Sequence, residues 1–231
     1  MDGLADPETI RARAREIRQR IEAAGDRPGR VTLIAVTKAF PVELVLRALA
    51  AGLVDLGENY AQELAAKADH LKGQAGAQLA VEGGPRWHFI GGLQSNKVKL
   101  LAGVVHLWQT VDRESLVDAI ARRSPGARVL IQVNTTSEAQ KSGCQPIQTL
   151  ALVDYARVQG LEVRGLMTIG PTSPSVDPRP AFAQLRGLAH RCEVEELSMG
   201  MSADYELAVS EGSTMVRIGS ALFGSRPPAD G

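Results

Sequence analysis

The sequence predicts an α/β fold, a single (β/α)8 TIM barrel, on three observations. Eight short strand patterns follow one another, nearly all trailed by a helical pattern. Their residues are largely apolar or β-branched, as in parallel strands covered on both faces. An open doubly wound sheet would give a similar rhythm. Its nucleotide-binding signatures are missing, however: no Gly-x-Gly-x-x-Gly follows the first strand, and no Gly-x-x-x-x-Gly-Lys-Ser/Thr occurs. The chain of 231 residues suits one such domain over 1–231.

An outer helix is expected over about 7–24, where Asp6 can cap, Pro7 suits the first helical position and Ile10, Ala14, Ile17 and Ile21 recur at helical spacing. Strand one, 31–37, ends in Lys38. Pro41 then opens a helix whose stripe is Leu44, Val45, Ala48 and Leu49, stopped by Gly52. Strand two is expected over 53–56, followed by Gly57-Glu58-Asn59-Tyr60 and a helix to about 72. The glycine- and alanine-rich run 73–85 reads as a flexible connection. Strand three, 87–90, contains His88 and leads to a helix from about 95. Strand four is 106–111, with a helix over about 113–123, and strand five is 128–134, with a helix over about 146–159. Strand six is 163–169. Four prolines make the 170–180 loop irregular, because proline removes a donor and fixes the backbone. A helix to about 192, strand seven at 196–199, a helix over about 203–210 and strand eight at 215–218 complete the series. The end, about 226–231, reads as a frayed tail.

Composition excludes several function classes. Lys plus Arg equals Asp plus Glu at 26 each, so no net field draws the chain to nucleic acid or to an anionic membrane. Cys144 and Cys192 lack CxxC spacing and histidine partners for zinc, and read as reduced thiols. No metal site is expected. Asp2, Asp6 and Glu8 stand where a signal peptide would be basic and then apolar, and no apolar run approaches membrane-spanning length. The expectation is a cytoplasmic monomer.

In a barrel of this kind the active face lies at the C-terminal ends of the strands. Polar residues gather there: Lys38, Glu58 with Asn59, Asn134, Ser198 with Ser202 close behind, and the run Arg217 to Ser220. Gly219 and Ser220, entering a short helix after strand eight, would offer backbone N–H groups to a dianion. Ser202 could donate to the same phosphate or could N-cap the helix near Ala203, and spacing alone leaves both open. Arg217 sits in a buried-type strand, so it either pairs with a carboxylate or faces a ligand. A strand-end lysine opposite a phosphate site suits an aldehyde with a phosphate arm, which the amine can capture as an imine. Pyridoxal phosphate and a phosphosugar aldolase substrate both fit that description.

The motifs go further. Ala35-Val36-Thr37-Lys38, Gly57-Glu58-Asn59-Tyr60 with Gln62-Glu63, and Trp87-His88-Phe89-Ile90-Gly91 with Leu93-Gln94-Ser95-Asn96-Lys97 stand in the first half. Lys141-Ser142-Gly143, Gly165-Leu166-Met167-Thr168-Ile169, Leu197 to Ser202 with Asp204, and Glu211 to Gly219 follow. In this order, over nearly the whole chain, they resemble the pyridoxal phosphate homeostasis proteins, related to the barrel domain of alanine racemase. The resemblance implies a (β/α)8 barrel with pyridoxal 5'-phosphate as cofactor. It implies that Lys38 forms the imine, that Ser202, Gly219 and Ser220 hold the phosphate, and that Arg217 faces the pyridine nitrogen. Asn59 and His88 lie in matching motifs near the cofactor; for His88 a satisfied core histidine is the competing reading. Gly92 and Cys144 depart from the family pattern, at positions away from the lysine and phosphate residues.

The implied role is to hold, buffer or deliver the cofactor, with PLP-dependent apo-enzymes as recipients. A two-base racemase would need a second acid/base, which in alanine racemase is a tyrosine of a separate β domain. Tyr60, Tyr155 and Tyr205 belong to no such domain, since the chain ends just after the barrel. A weak racemase completed by a partner chain is the first alternative. A regulatory module docking through 91–100 is the second.

Overall fold

The computed structural model describes residues 4–25, 31–74, 84–136 and 138–225. The tail at 226–231 and most of the 73–85 connection lie outside them. The order of elements is α1 (Pro7–Ala24), β1 (Thr32–Val36), α2 (Val42–Ala50), β2 (Asp55–Glu58), α3 (Ala61–Gln74), β3 (Arg86–Phe89), α4 (Val98–Leu101) and β4 (Val105–Val111). It continues with α5 (Glu114–Arg123), β5 (Arg128–Gln132), α6 (Thr149–Val158), β6 (Glu162–Met167), α7 (Arg179–Arg191), β7 (Glu196–Met201), α8 (Tyr205–Ser210), β8 (Met215–Ile218) and α9 (Ser220–Phe223).

Each strand pairs in parallel with the next, and β8 pairs with β1, so the eight strands form a closed barrel. Parallel neighbours need crossovers, and the helices supply them while covering the outer face. Alternation along each strand then builds two cores. Leu33, Ala35, Trp87, Phe89, Val129, Ile131 and Val216 point outward against the helices. Ile34, Leu107, Leu130, Met167 and Met215 fill the barrel interior. Helix α1 lays Ile10, Ala14, Ile17 and Ile21 on the outer core, and the Asp6 side chain caps it by accepting from the N–H groups of Glu8 and Thr9. Arg13 Nη1 ties this helix to the Leu222 carbonyl at 2.9 Å.

The barrel expectation holds, and several boundaries move. Strand two begins at Asp55 rather than 53, because Leu53 still completes the end of α2, its N–H donating to the Ala48 carbonyl past Gly52 at φ +85°. Gly57 and Glu58 belong to the strand. A Cβ on Gly57 would stand 3.0 Å from Ile34 and Ile90, so glycine there keeps the interior of β2 open. The helix expected from 95 opens with a 3-10 turn, Ser95–Lys97, and that expected from 146 with another, Pro146–Gln148. β7 runs two residues longer than expected, to Met201, which delays α8 to Tyr205. No described helix is long and apolar enough to cross a membrane.

Close approach of β6 and β7 rests on Gly165, where a Cβ would run into the backbone carbonyl of Glu196. Gly165→Ala should therefore force the two strands apart, at a cost of about 3 kcal/mol, lowering the melting temperature by roughly 6–12 °C. A melting curve within about 2 °C of wild type would contradict this packing.

Candidate functional site

At the C-terminal rim lies a cavity of about 580 Å³. This is within the ~300–1,000 Å³ range of small-molecule sites. Lys38, Asn59, Ser202, Arg217, Gly219 and Ser220 all line it, together with apolar Val36, Ile90, Met167 and Ile169. Six of the seven residues singled out in the sequence thus meet around one space.

Lys38 stands just beyond β1 on a turn closed by the Phe40 N–H donating to the Thr37 carbonyl at 3.2 Å. Its neighbour Ala39 has φ +58°, a left-handed conformation that costs an L-residue about 1–2 kcal/mol. A buried cluster behind the turn holds it there. Lys67 Nζ, on α3, donates to the Thr37 carbonyl at 2.8 Å and to Glu58 and Glu63 carboxylates at 2.6 Å each. The free edge of the turn is pinned as well, since the Ala39 N–H donates to Glu63 Oε1 at 2.8 Å and Thr37 Oγ1 donates to Glu58 Oε1 at 2.7 Å. Burial pushes the Glu58 carboxyl above its ordinary range, and the Lys67 ammonium acts against that rise. Sequence reading missed Lys67. Glu63 and Lys67 form an i,i+4 pair that reads as a solvated helix face, and only α3 packing against β2 buries it.

The adjoining wall is built by the ends of β7 and β8, β8 being paired with β1. Ser202 faces α9, its Oγ 3.5 Å from the Ala221 N–H. It does not cap α8, whose N-cap position is Asp204. Gly219 occupies the N-cap position of α9, so the Ser220 and Ala221 N–H groups, which lack intrahelical acceptors, come beside Ser202 at the cavity edge. Arg217, on β8, points into the barrel and lines the cavity. Nη1 donates to Ser198 Oγ at 2.7 Å and Nη2 to the Thr168 carbonyl at 2.8 Å, both neutral acceptors. Burial pushes the guanidinium down to about 10, with the Asp204 carboxylate acting the other way, and it stays cationic at neutral pH. Asn59 is held by a close crossing of backbones: a Cβ on Gly91 would overlap the Asn59 carbonyl. Its buried Oδ1 has no hydrogen-bond partner among the described residues.

His88 stands apart from the other six and fits the competing reading of a satisfied core histidine. It is buried in the barrel on β3 and does not line the cavity. Its Nε2 lies 3.0 Å from Asp55 Oδ1 and its Nδ1 lies 2.9 Å from Gln109 Nε2, so both ring nitrogens are satisfied by the protein. The reason is register: His88 pairs with Gly57, one layer below Asn59. Asn134 also stays out of the cavity, donating to the Glu138 carbonyl and accepting from the Thr136 N–H within its own loop. Glu58 faces α3, not the rim.

Lys67→Met should leave Glu58 charged and unpaired behind the turn, costing about 3–5 kcal/mol in urea denaturation. Adding Glu58→Gln should return part of that loss. A double variant as unstable as Lys67→Met, or more so, would refute an orphaned charge as the cause.

Comparison with known proteins places this geometry in a family. Residues 5–227 match the family model described as alanine racemase, N-terminal domain. The pyridoxal phosphate homeostasis protein of Pseudomonas aeruginosa is 41% identical over 227 residues, covering 95% of each chain. PipY of Synechococcus elongatus, solved with PLP bound, superposes with a TM-score of 0.77 at 31% identity, covering 93% of this chain and 100% of PipY. An alanine racemase from Clostridium difficile superposes with a TM-score of 0.71 at 14% identity over 96% of this chain and 58% of its own, a likeness of fold alone. With a family match over almost its whole length and relatives this similar across their full extent, the chain belongs to the pyridoxal phosphate homeostasis protein family, built on the alanine racemase N-terminal domain.

Proposed function

We propose that this chain binds pyridoxal 5'-phosphate through Lys38 and holds it for buffering or delivery, without turning over a substrate of its own. The observation that carries this reading is that one cavity is lined by a lysine at the end of β1, by the Ser202, Gly219 and Ser220 donors after β7 and β8, and by a buried arginine on β8. The donor set fits the group. When bound, pyridoxal phosphate supplies an aldehyde that condenses with a primary amine, losing water, and an aromatic ring whose nitrogen can accept a hydrogen bond.

Each residue then has a distinct task. Lys38 supplies the amine from a turn that the Lys67 cluster keeps from drifting. Ser202 and the first turn of α9 offer hydroxyl and N–H donors to the dianion, with the helix dipole adding a small favourable term. Arg217 has five N–H donors, of which two are engaged by Ser198 and Thr168. It can donate to the ring nitrogen and cannot accept from it, so that nitrogen stays unprotonated and the ring remains a weak electron sink. Low turnover follows from the same wall. None of Tyr60, Tyr155 and Tyr205 lines the cavity, and the Tyr155 hydroxyl is engaged with Asp118 at 2.8 Å. The homeostasis name carried by the relatives points the same way. This reading has the chain acting as a cytoplasmic monomer over 1–231 with PLP-dependent apo-enzymes as recipients. Its two unpaired buried thiols, Cys144 and Cys192, suit a reducing compartment.

Mixed with pyridoxal phosphate, the wild type should show an absorption band near the violet edge of the visible. Borohydride should fix the adduct on the Lys38 peptide, as read by mass spectrometry, and Lys38→Ala should lack both signals. Ser202→Ala should still form the band while releasing cofactor roughly 3- to 10-fold more readily in dialysis, the loss of one hydrogen bond to an anion. An adduct on another lysine in the wild type would overturn the assignment. Sustained exchange of the α-proton of L-amino acids in deuterated water, at enzymatic rates, would overturn the non-catalytic role.

A further inference from the structure

The strand interiors beneath the cavity carry a run of polar side chains that the binding role does not by itself require. Ser198, on β7, accepts from Arg217 and donates its own hydroxyl to Gln109 Oε1, on β4, at 2.6 Å. Gln109 then reaches His88, and His88 reaches Asp55, which Arg86 pairs at the opposite end of the barrel. Ser198 and Gln109 are fully buried. They lie in a barrel interior otherwise filled by Ile34, Leu107, Leu130 and Met215, where apolar side chains would avoid the risk of an unsatisfied group.

Only one arrangement of protons satisfies this column. A guanidinium has no acceptor, so the Ser198 oxygen must accept from it and the Ser198 hydrogen must go elsewhere. The acceptor it finds is the amide oxygen of Gln109, which turns the Gln109 amide nitrogen toward His88. His88 Nδ1 must then accept, which leaves its hydrogen on Nε2, aimed at Asp55. Every bond donates in the same direction, from the Arg217 cation to the Asp55 anion. The intervening dipoles align head to tail between the two charges and strengthen one another. Hydrogen bonds from His88 and Arg86 outweigh the effect of burial and hold the Asp55 carboxyl well below the usual carboxylate range.

We infer that Ser198 and Gln109 are positioning residues, anchored by His88 on Asp55, which orient the Arg217 guanidinium toward the ring of a cofactor bound in the cavity. This rests on the pyridoxal phosphate reading and adds to it. A change in the middle of the barrel, out of reach of the ligand, alters how the ligand is held, because it frees Arg217 Nη1 from its fixed acceptor.

The test is titration of pyridoxal phosphate into wild type, Gln109→Leu, Ser198→Ala, their double variant and Gln109→Glu, reading both Kd and the position of the bound cofactor's absorption band. Each of the first two variants should weaken binding roughly 5- to 20-fold and move the band. The double variant should be no weaker than the worse single, since one broken link interrupts the whole column. Gln109→Glu, which keeps an acceptor for Ser198 but removes the donor to His88 Nδ1, should also fall short of wild type in both readings. Leu116→Ala, on the buried face of α5 outside the barrel, serves as a destabilised control and should keep the wild-type band. Should Gln109→Leu fail to fold, Ser198→Ala, which removes a single oxygen, decides the matter by the same two readings. Wild-type affinity and band position in Ser198→Ala or Gln109→Leu, or losses that multiply in the double variant, would overturn the inference while leaving cofactor binding intact. A wild-type chain that takes up no pyridoxal phosphate would instead overturn the proposed function.

Discussion

The ladder between β1 and β8, from Thr32 opposite Met215 to Ala35 opposite Ile218, closes the barrel and makes the site possible. Parallel pairing of the first strand with the last brings the Lys38 turn beside Arg217, Gly219 and Ser220, from opposite ends of the chain. A strand end is where a closed parallel barrel leaves side chains and N–H groups without a strand neighbour. Residues that cannot serve the core therefore collect there. In an open sheet β1 and β8 would not meet at their ends in this way, and the Lys38 turn and the Gly219-Ser220 pair would face different spaces.

Two buried cations divide the work of the rim. Lys67 lies outside the barrel wall and is neutralised by two carboxylates, with a backbone carbonyl as its third acceptor. Its hydrogen bonds are complete, so it fixes the backbone of the lysine turn and offers nothing to a ligand. Arg217 lies inside the wall and touches only neutral oxygens. The Asp204 carboxylate opposes the effect of burial on its charge, and two of its five N–H groups are engaged by these oxygens. The left-handed Ala39 fits the same division, since strain of this size persists only where the surroundings over-determine the conformation.

The likeness to alanine racemase illustrates how little a shared barrel says about chemistry. At 14% identity the backbone superposes over nearly the whole chain, yet the racemase is much longer than the part matched. Function is carried by the site and not by the barrel. In this chain the cavity is lined by Lys38, Ser202, Gly219, Ser220 and an arginine whose guanidinium is held by Ser198 and Thr168.

By itself, the sequence determined the number, order and type of the elements, because two-face burial, capping and glycine stops are local patterns readable within a few residues. It also placed a lysine after a buried strand and a Gly-Ser pair at the entry to a helix, because both are local patterns. The three-dimensional packing decided which of these residues share a cavity and which do not. His88 follows the same alternating pattern as its neighbours, and only the register of β3 against β2 sets it a layer too deep to reach the rim. Gln109 and Lys67 were equally silent: a polar residue inside an apolar strand and an i,i+4 ion pair on a helix have ordinary solvated readings. Their burial is a property of strands and helices brought together from distant parts of the chain, and no local pattern encodes it.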